Sequence, residues 1–154
     1  MAITVQTNDG LSTANSYVSV ADFDSYLLER GISVTTDSEQ LLLRAMDVLD
    51  AKQYKSEYVK REQSTEWPRM GAGIPRAIKQ AQILLAIMSD SVDVFSASNE
   101  AATKREKVDA IEVEYFENQN AVTGSPLMQT VNELLAPYLA SSGSWVANIR
   151  TYRG

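Results

Sequence analysis

From Ile74 to Met88 the chain carries apolar residues at most of the positions a helix can turn inward, and this run constrains what the rest can fold into. Ile74, Ile78, Ala81, Leu85 and Met88 share one helical face, and Ala77, Ile83, Leu84 and Ile87 widen that face well past a narrow stripe. A helix so broadly apolar has to be covered from several sides, so the domain is expected to be built round it. With 154 residues and 44% hydrophobic content there is enough chain for one such core and not comfortably for two.

Three further segments read as the helices that cover it. "SVADFDSYLLERG" has Ser19 as a cap with Asp22 three residues on, Val20, Phe23, Leu27 and Arg30 at helical spacing, and Gly31 for a left-handed stop. "DSEQLLLRAMDVLDAKQY" has Asp37 as cap, Gln40 at the capping-box position, and Leu42, Ala45, Met46 and Leu49 as its inward stripe. "GSPLMQTVNELLAPYL" opens with Ser125 and Pro126, points Leu127, Val131, Leu134, Leu135 and Tyr138 inward, and is limited by Pro137. The expected fold is mainly α: a compact four-helix domain over residues 1–140, with one or two short β-strands and an extended C-terminal tail over 141–154. "ITVQT" (3–7) is one strand candidate.

The stretch "EWPRMGAGIPRAIKQAQILLA" puts a Gly-x-Gly loop before the central helix. A phosphate cradle of that kind follows a hydrophobic strand in a parallel βαβ unit, whereas here the preceding residues are charged and include Pro68, and there is neither a third glycine nor a Gly-Lys-Ser/Thr. The remaining reading is punctuation: Gly71 and Gly73 allow a tight turn, and Pro75 takes the first helical position. Trp67 then anchors the end of a long loop on the core, leaving Arg69 and Arg76 to bond locally or to meet a partner.

Little catalytic chemistry is open to this composition. Zero cysteines remove disulfides and thiolate metal sites, and zero histidines remove the commonest general base and transition-metal ligand. Asp47 and Asp50 lie on one helical turn, but a hard-cation site needs more converging oxygens than one pair. No enzyme and no cofactor is expected. No run reaches the roughly 20 apolar residues of a membrane helix, and the start lacks a basic then apolar leader, so a soluble protein without a secretory signal and without a membrane role is expected.

Charge and apolar pattern point outward in three places. Residues 52–79 carry seven basic against three acidic side chains, net +4 in a chain of net charge -6, interleaved with Tyr54, Tyr58 and Trp67. After an aperiodic excursion, "DSVDVFSASNEAATKREK" (90–107), "VDAIEVEYFE" (108–117) alternates Ile111, Val113 and Tyr115 against Glu112, Glu114 and Phe116, the mark of a half-exposed strand. Such a strand either pairs with "ITVQT" or adds to a neighbouring subunit. The tail carries Trp145, Ile149 and Tyr152 with Arg150 and Arg153 and no acid, so it either folds back or docks on a partner that is apolar at its centre and acidic at its rim.

The order "SYVSVADFDSYL", "RAMDVLD", "WPR" with "IPRAIKQA", "VDAIEVEYFE" and "NELLAPYL" resembles phage proteins labelled DnaT-like single-stranded-DNA-binding proteins, over nearly the whole chain. That group is similar to the head-tail connectors, or adaptors, of tailed phages; the excursion "DVFSASNEAATKREK" matches no motif of it. The resemblance implies a structural protein of the virion neck, assembled in the host cytoplasm as a homo-oligomeric ring, expected twelve-fold. Its partners would be the portal protein on one side, a tail-side neck or tail-terminator protein on the other, and DNA sliding through without specific binding. It implies a portal-docking tail of Trp145, Ile149, Arg150, Tyr152 and Arg153. Subunit or next-ring contacts would come from Tyr54, Tyr58, Trp67, Arg69, Ile111, Val113 and Tyr115. The alternative is single-stranded-DNA binding by residues 52–79, with the aromatics as stacking platforms.

Overall fold

Three of the four described helices begin at the residues their sequence signals mark, and the central one begins one residue late. The computed structural model describes residues 2–91 and 125–140 of the chain. Helix α1, Val20–Arg30, starts at an extended Ser19 whose Oγ accepts the Asp22 N–H at 3.1 Å and donates to the Asp22 carboxylate at 2.7 Å. It stops at Gly31, where φ is 62° and the freed N–H groups return to Leu27 and Leu28. Helix α2, Ser38–Asp50, is capped by Asp37, which accepts the Glu39 N–H at 2.9 Å; the return bond expected from Gln40 is not made. Helix α3, Arg76–Ser91, begins one residue later than expected, with Pro75 outside it and the Pro75 carbonyl taking the Ile78 N–H at 3.1 Å. Helix α4 is Pro126–Leu135, with Ser125 ahead of it but making no side-chain cap.

Helix α3 is the centre, packed chiefly on α2 and α4, while α1 rests on α2. Its Ile78, Ala81, Leu84, Leu85, Ala86 and Met88 are buried against Leu41, Leu42, Ala45, Met46 and Leu49 of α2 and Val131 and Leu135 of α4. Each fully buried Leu or Ile contributes about 2 kcal/mol. Leu127, expected inside, is exposed instead. It and Met128 flank the Val131 line at i−4 and i−3, and the core takes the more adaptable, half-buried Met128. Helix α3 also runs two residues into the expected aperiodic excursion. Its Asp90 carboxylate accepts the Thr36 N–H at 2.8 Å and the Thr35 N–H at 3.0 Å, joining the end of α3 to the α1–α2 loop.

No strand forms among the described residues. "ITVQT" makes one isolated parallel bridge, Val5 to Ser16, instead of a ladder. The reason is competition for its backbone: the Thr4 N–H is taken by the Asn15 side chain at 2.7 Å, and the Thr4 carbonyl serves both Asn15 and Ser16. The strand expected at 108–117, the rest of the excursion from residue 92, and the tail 141–154 lie outside the described residues.

Candidate functional site

Residues 51–75 join α2 to α3 by a route far longer than a helix–helix connection requires. The route is a braced arm. At its root, Lys55 N–H donates to Tyr138 at 2.9 Å and Ala140 N–H to Gln53 at 2.9 Å, so the exit from α4 is tied to the start of the arm. Further out, Met70 N–H donates to Glu57 at 2.9 Å, with Tyr58 paired opposite Arg69. The arm reverses at Arg69–Ala72, where the two end residues exchange backbone bonds of 3.0 and 3.2 Å and Gly71, at φ 79°, fits the third position of a type II turn. At Gly73 a Cβ would lie 2.7 Å from Asn8 Oδ1, the atom that accepts the Ile74 N–H at 3.0 Å. The Gly-x-Gly loop is thus a turn followed by a close approach.

Two residues hold the arm. Trp67, joined to the buried Pro68 by a cis peptide, stands edge-on between Tyr54 and Tyr138, with ring centroids 5.8 and 5.6 Å away. Its backbone N–H donates to the Tyr17 hydroxyl at 3.1 Å, and its indole Nε1 has no hydrogen-bond partner among the described residues. Arg69, only 6% exposed, uses the whole guanidinium: Nε donates to the Glu66 carbonyl at 2.9 Å, one terminal nitrogen donates to the Ser56 carbonyl, and the other pairs with the Glu66 carboxylate. The same group lies over the Tyr58 ring at 4.7 Å and the Tyr54 ring at 5.6 Å. Its bond to Ser56 helps hold that residue at φ 67°, a left-handed conformation rare outside glycine.

The electrostatics follow from this packing. Burial, with Asp50 nearby, pushes the Tyr17 and Tyr54 phenols up. Tyr58 is raised first by its hydrogen bond to Glu66, at 2.9 Å. Asp50 keeps solvent-facing area, yet the atoms crowded round it desolvate the carboxylate, and Glu66 and Asp47 repel it, so it rises to about 6. Asp50, Glu66, Tyr54, Tyr58 and Arg69 line an open cavity of about 440 Å³ that reaches Ala140. Among the described residues no group of three or more acidic side chains is placed to hold a metal ion, and no helix is long and apolar enough to cross a membrane.

A family model described as "Putative DnaT-like ssDNA binding protein" matches residues 1–154. The chain belongs to this DnaT-like family. No curated protein and no solved structure matches it. In this DnaT-like chain the aromatic and basic residues of 52–79 part company. Tyr54, Trp67 and Arg69 turn inward on one another, so neither Tyr54 nor Trp67 offers a free ring face for a base to stack on. Of the four expected contact residues that lie among the described residues, only Tyr58 stays exposed, at 43%. Beside it stand Val59 and Met70, exposed apolar residues that sequence reading passed over, although an apolar residue inside "YVKR" or "RMG" has no helical face to join and so has reason to be displayed. Ile111, Val113, Tyr115, Trp145, Ile149, Arg150, Tyr152 and Arg153 lie outside the described residues.

Proposed function

We propose that this chain is the subunit of a head-tail connector, a structural ring that bridges the portal of a tailed phage to the tail-side neck proteins and leaves a channel for DNA. The observation that carries the reading is the arm: buried Trp67 and Arg69 make it rigid, and it displays Tyr58, Val59 and Met70 on its outside. Preorganised apolar side chains on a fixed backbone suit protein contact, because little ordering entropy is lost on docking. The net charge of -6 suits a wall along which DNA slides without being gripped. Copies would assemble head to tail, a heterologous contact that closes by rotation. The tail beyond Ala140 would reach the portal.

The test is assembly state by mass photometry, with and without the portal protein encoded alongside. Monomers or mixed small oligomers are expected alone, and a ring, expected twelve-fold, with portal. A stable dimer indifferent to portal overturns the proposal. The family's description favours a second reading, single-stranded-DNA binding, for which the exposed Lys60 and Arg61 remain available, while the Lys55 ammonium donates to the Pro137 carbonyl at 3.1 Å. Submicromolar binding of a fluorescent oligonucleotide at physiological salt, lost in Tyr58→Ala, would establish it in place of the connector.

A further inference from the structure

A groove lined by three cations and one acid lies away from the arm, between the end of α1 and the start of α3, with a volume of about 260 Å³. Tyr26 and the buried Ile83 give it apolar walls, and Arg30, Arg76 and Lys79 line it. Arg30 lies 3.6 Å over the Tyr26 ring and 3.6 Å from Glu29, the one carboxylate of the groove, so that acid is already engaged. Arg76 and Lys79 are exposed, one helical turn apart, and neither side chain has an ion-pair or hydrogen-bond partner among the described residues. Free cations beside apolar walls fit a ligand that alternates carboxylates with apolar side chains. A nucleic-acid strand is the poorer fit, since three cations make no track for a phosphate backbone and the chain as a whole is acidic.

The chain itself contains such a ligand. Residues 108–117 carry Asp109, Glu112, Glu114 and Glu117, no basic residue, and Ile111, Val113 and Tyr115 between them. We infer that the α1–α3 groove docks the 108–117 segment of a second copy of this chain, its carboxylates meeting Arg30, Arg76 and Lys79 and its apolar residues covering Tyr26 and Ile83. This rests on the ring reading, for which it supplies the heterologous contact: groove on one subunit, acidic segment on the next. Charge complementarity of this kind sets register and makes association salt-sensitive.

The test uses a fluorescein-labelled peptide of residues 108–117 and the full chain, read by anisotropy. Wild type should bind it, and a chain carrying Glu112→Gln and Glu114→Gln should bind it equally. Arg76→Glu with Lys79→Glu should weaken binding by at least about tenfold, and a peptide with Glu112→Lys and Glu114→Lys should restore it on that variant. Both substituted groove residues are exposed and partnerless, and an unchanged or higher melting temperature shows that the variant folds. Absence of binding, or binding indifferent to the groove substitutions, overturns the inference. Binding only to the Gln-substituted chain overturns it too, by showing the groove filled by the chain's own segment. An oligonucleotide that binds in the peptide's place, and is lost in the same variant, makes the groove a nucleic-acid site. Ring formation with portal is scored separately: a ring unaffected by Arg76→Glu and Lys79→Glu sinks the groove and leaves the connector standing, and peptide docking without any ring does the reverse.

Discussion

Gln82, at the middle of α3 and with no exposure, accepts the backbone N–H of Tyr17 at 2.9 Å across 65 residues of sequence. The same amide donates to Ser16 Oγ at 2.8 Å and to the Leu42 carbonyl at 3.2 Å, so one side chain joins the entry loop, α2 and α3. Gln82→Leu keeps the bulk, strands the Tyr17 N–H and removes one bond each from Ser16 Oγ, which keeps its bonds to Val18, and from the Leu42 carbonyl of α2. With about 1–3 kcal/mol for the buried N–H left unpaired and about 1 kcal/mol for each of the other two bonds, less some relaxation, a loss of about 3 kcal/mol is expected. Urea unfolding should show a lower midpoint with an unchanged slope.

Trp67 separates bulk from hydrogen bonding. Trp67→Ala should cost about 3–5 kcal/mol, as loss of a buried aromatic does. Trp67→Phe should cost only about 1–2 kcal/mol, because the indole N–H has no partner among the described residues to lose. Equal losses for the two variants in urea would show that the indole N–H is bonded after all.

Asp50 sets a pH dependence whose sign is the reverse of the usual carboxylate. Its folded-state value of about 6 lies above the ordinary 3.8, chiefly through desolvation. The folded state therefore favours the protonated form: the contribution to stability is full below about pH 4 and is lost as pH rises through about 6. Asp50→Asn, which keeps an oxygen for the Glu66 N–H, should raise the melting temperature at pH 8 and leave it unchanged near pH 4. The gain should stay under about 1 kcal/mol, since the solvent-facing side of the carboxyl screens the repulsion.

Helix α3 opens with two cations, Arg76 and Lys79, and no acidic residue in its first turn. Positive charge at the positive end of a helix costs about 0.3–1 kcal/mol per residue. Arg76→Glu with Lys79→Glu should therefore raise stability by about 1 kcal/mol, or a few degrees by calorimetry. A fall in melting temperature would mean that these side chains hold the fold together.

What was legible in the sequence was what is settled locally. Ser19 with Asp22, Gly31, Asp37 and the stripes of α1 and α2 are bonded within a turn or two of themselves, so their spacing is their structure. The inward face of α4 was read one residue off at Leu127, because Leu127 and Met128 flank the same line and only the neighbouring α3 chooses between them. Trp67 was readable as an anchor from its size among charges. Arg69 was not readable as buried, since its carbonyl partners at Ser56 and Glu66 become neighbours only when the arm folds back. Gln82 sat unnoticed on an apolar face for the same reason, its partners being 40 to 66 residues away. "ITVQT" had strand composition but met Asn15, whose side chain competes for its backbone.

The opening residues of the chain have their partners late in it: Gln6 donates to Thr65, Asn8 accepts from Ile74, Ser16 accepts from Gln82, and the Tyr17 hydroxyl accepts from Trp67. During synthesis Thr65 and Trp67 emerge ahead of α3, but the leg's bonds to Ile74 and Gln82 cannot close until α3 has begun to emerge. Helices α1 and α2 can form and touch before then, with their faces toward α3 still bare. Emergence of Gln82 therefore completes the bonding of the leg, and a chain arrested shortly before it would leave Leu41, Leu42 and Leu49 without the cover of α3.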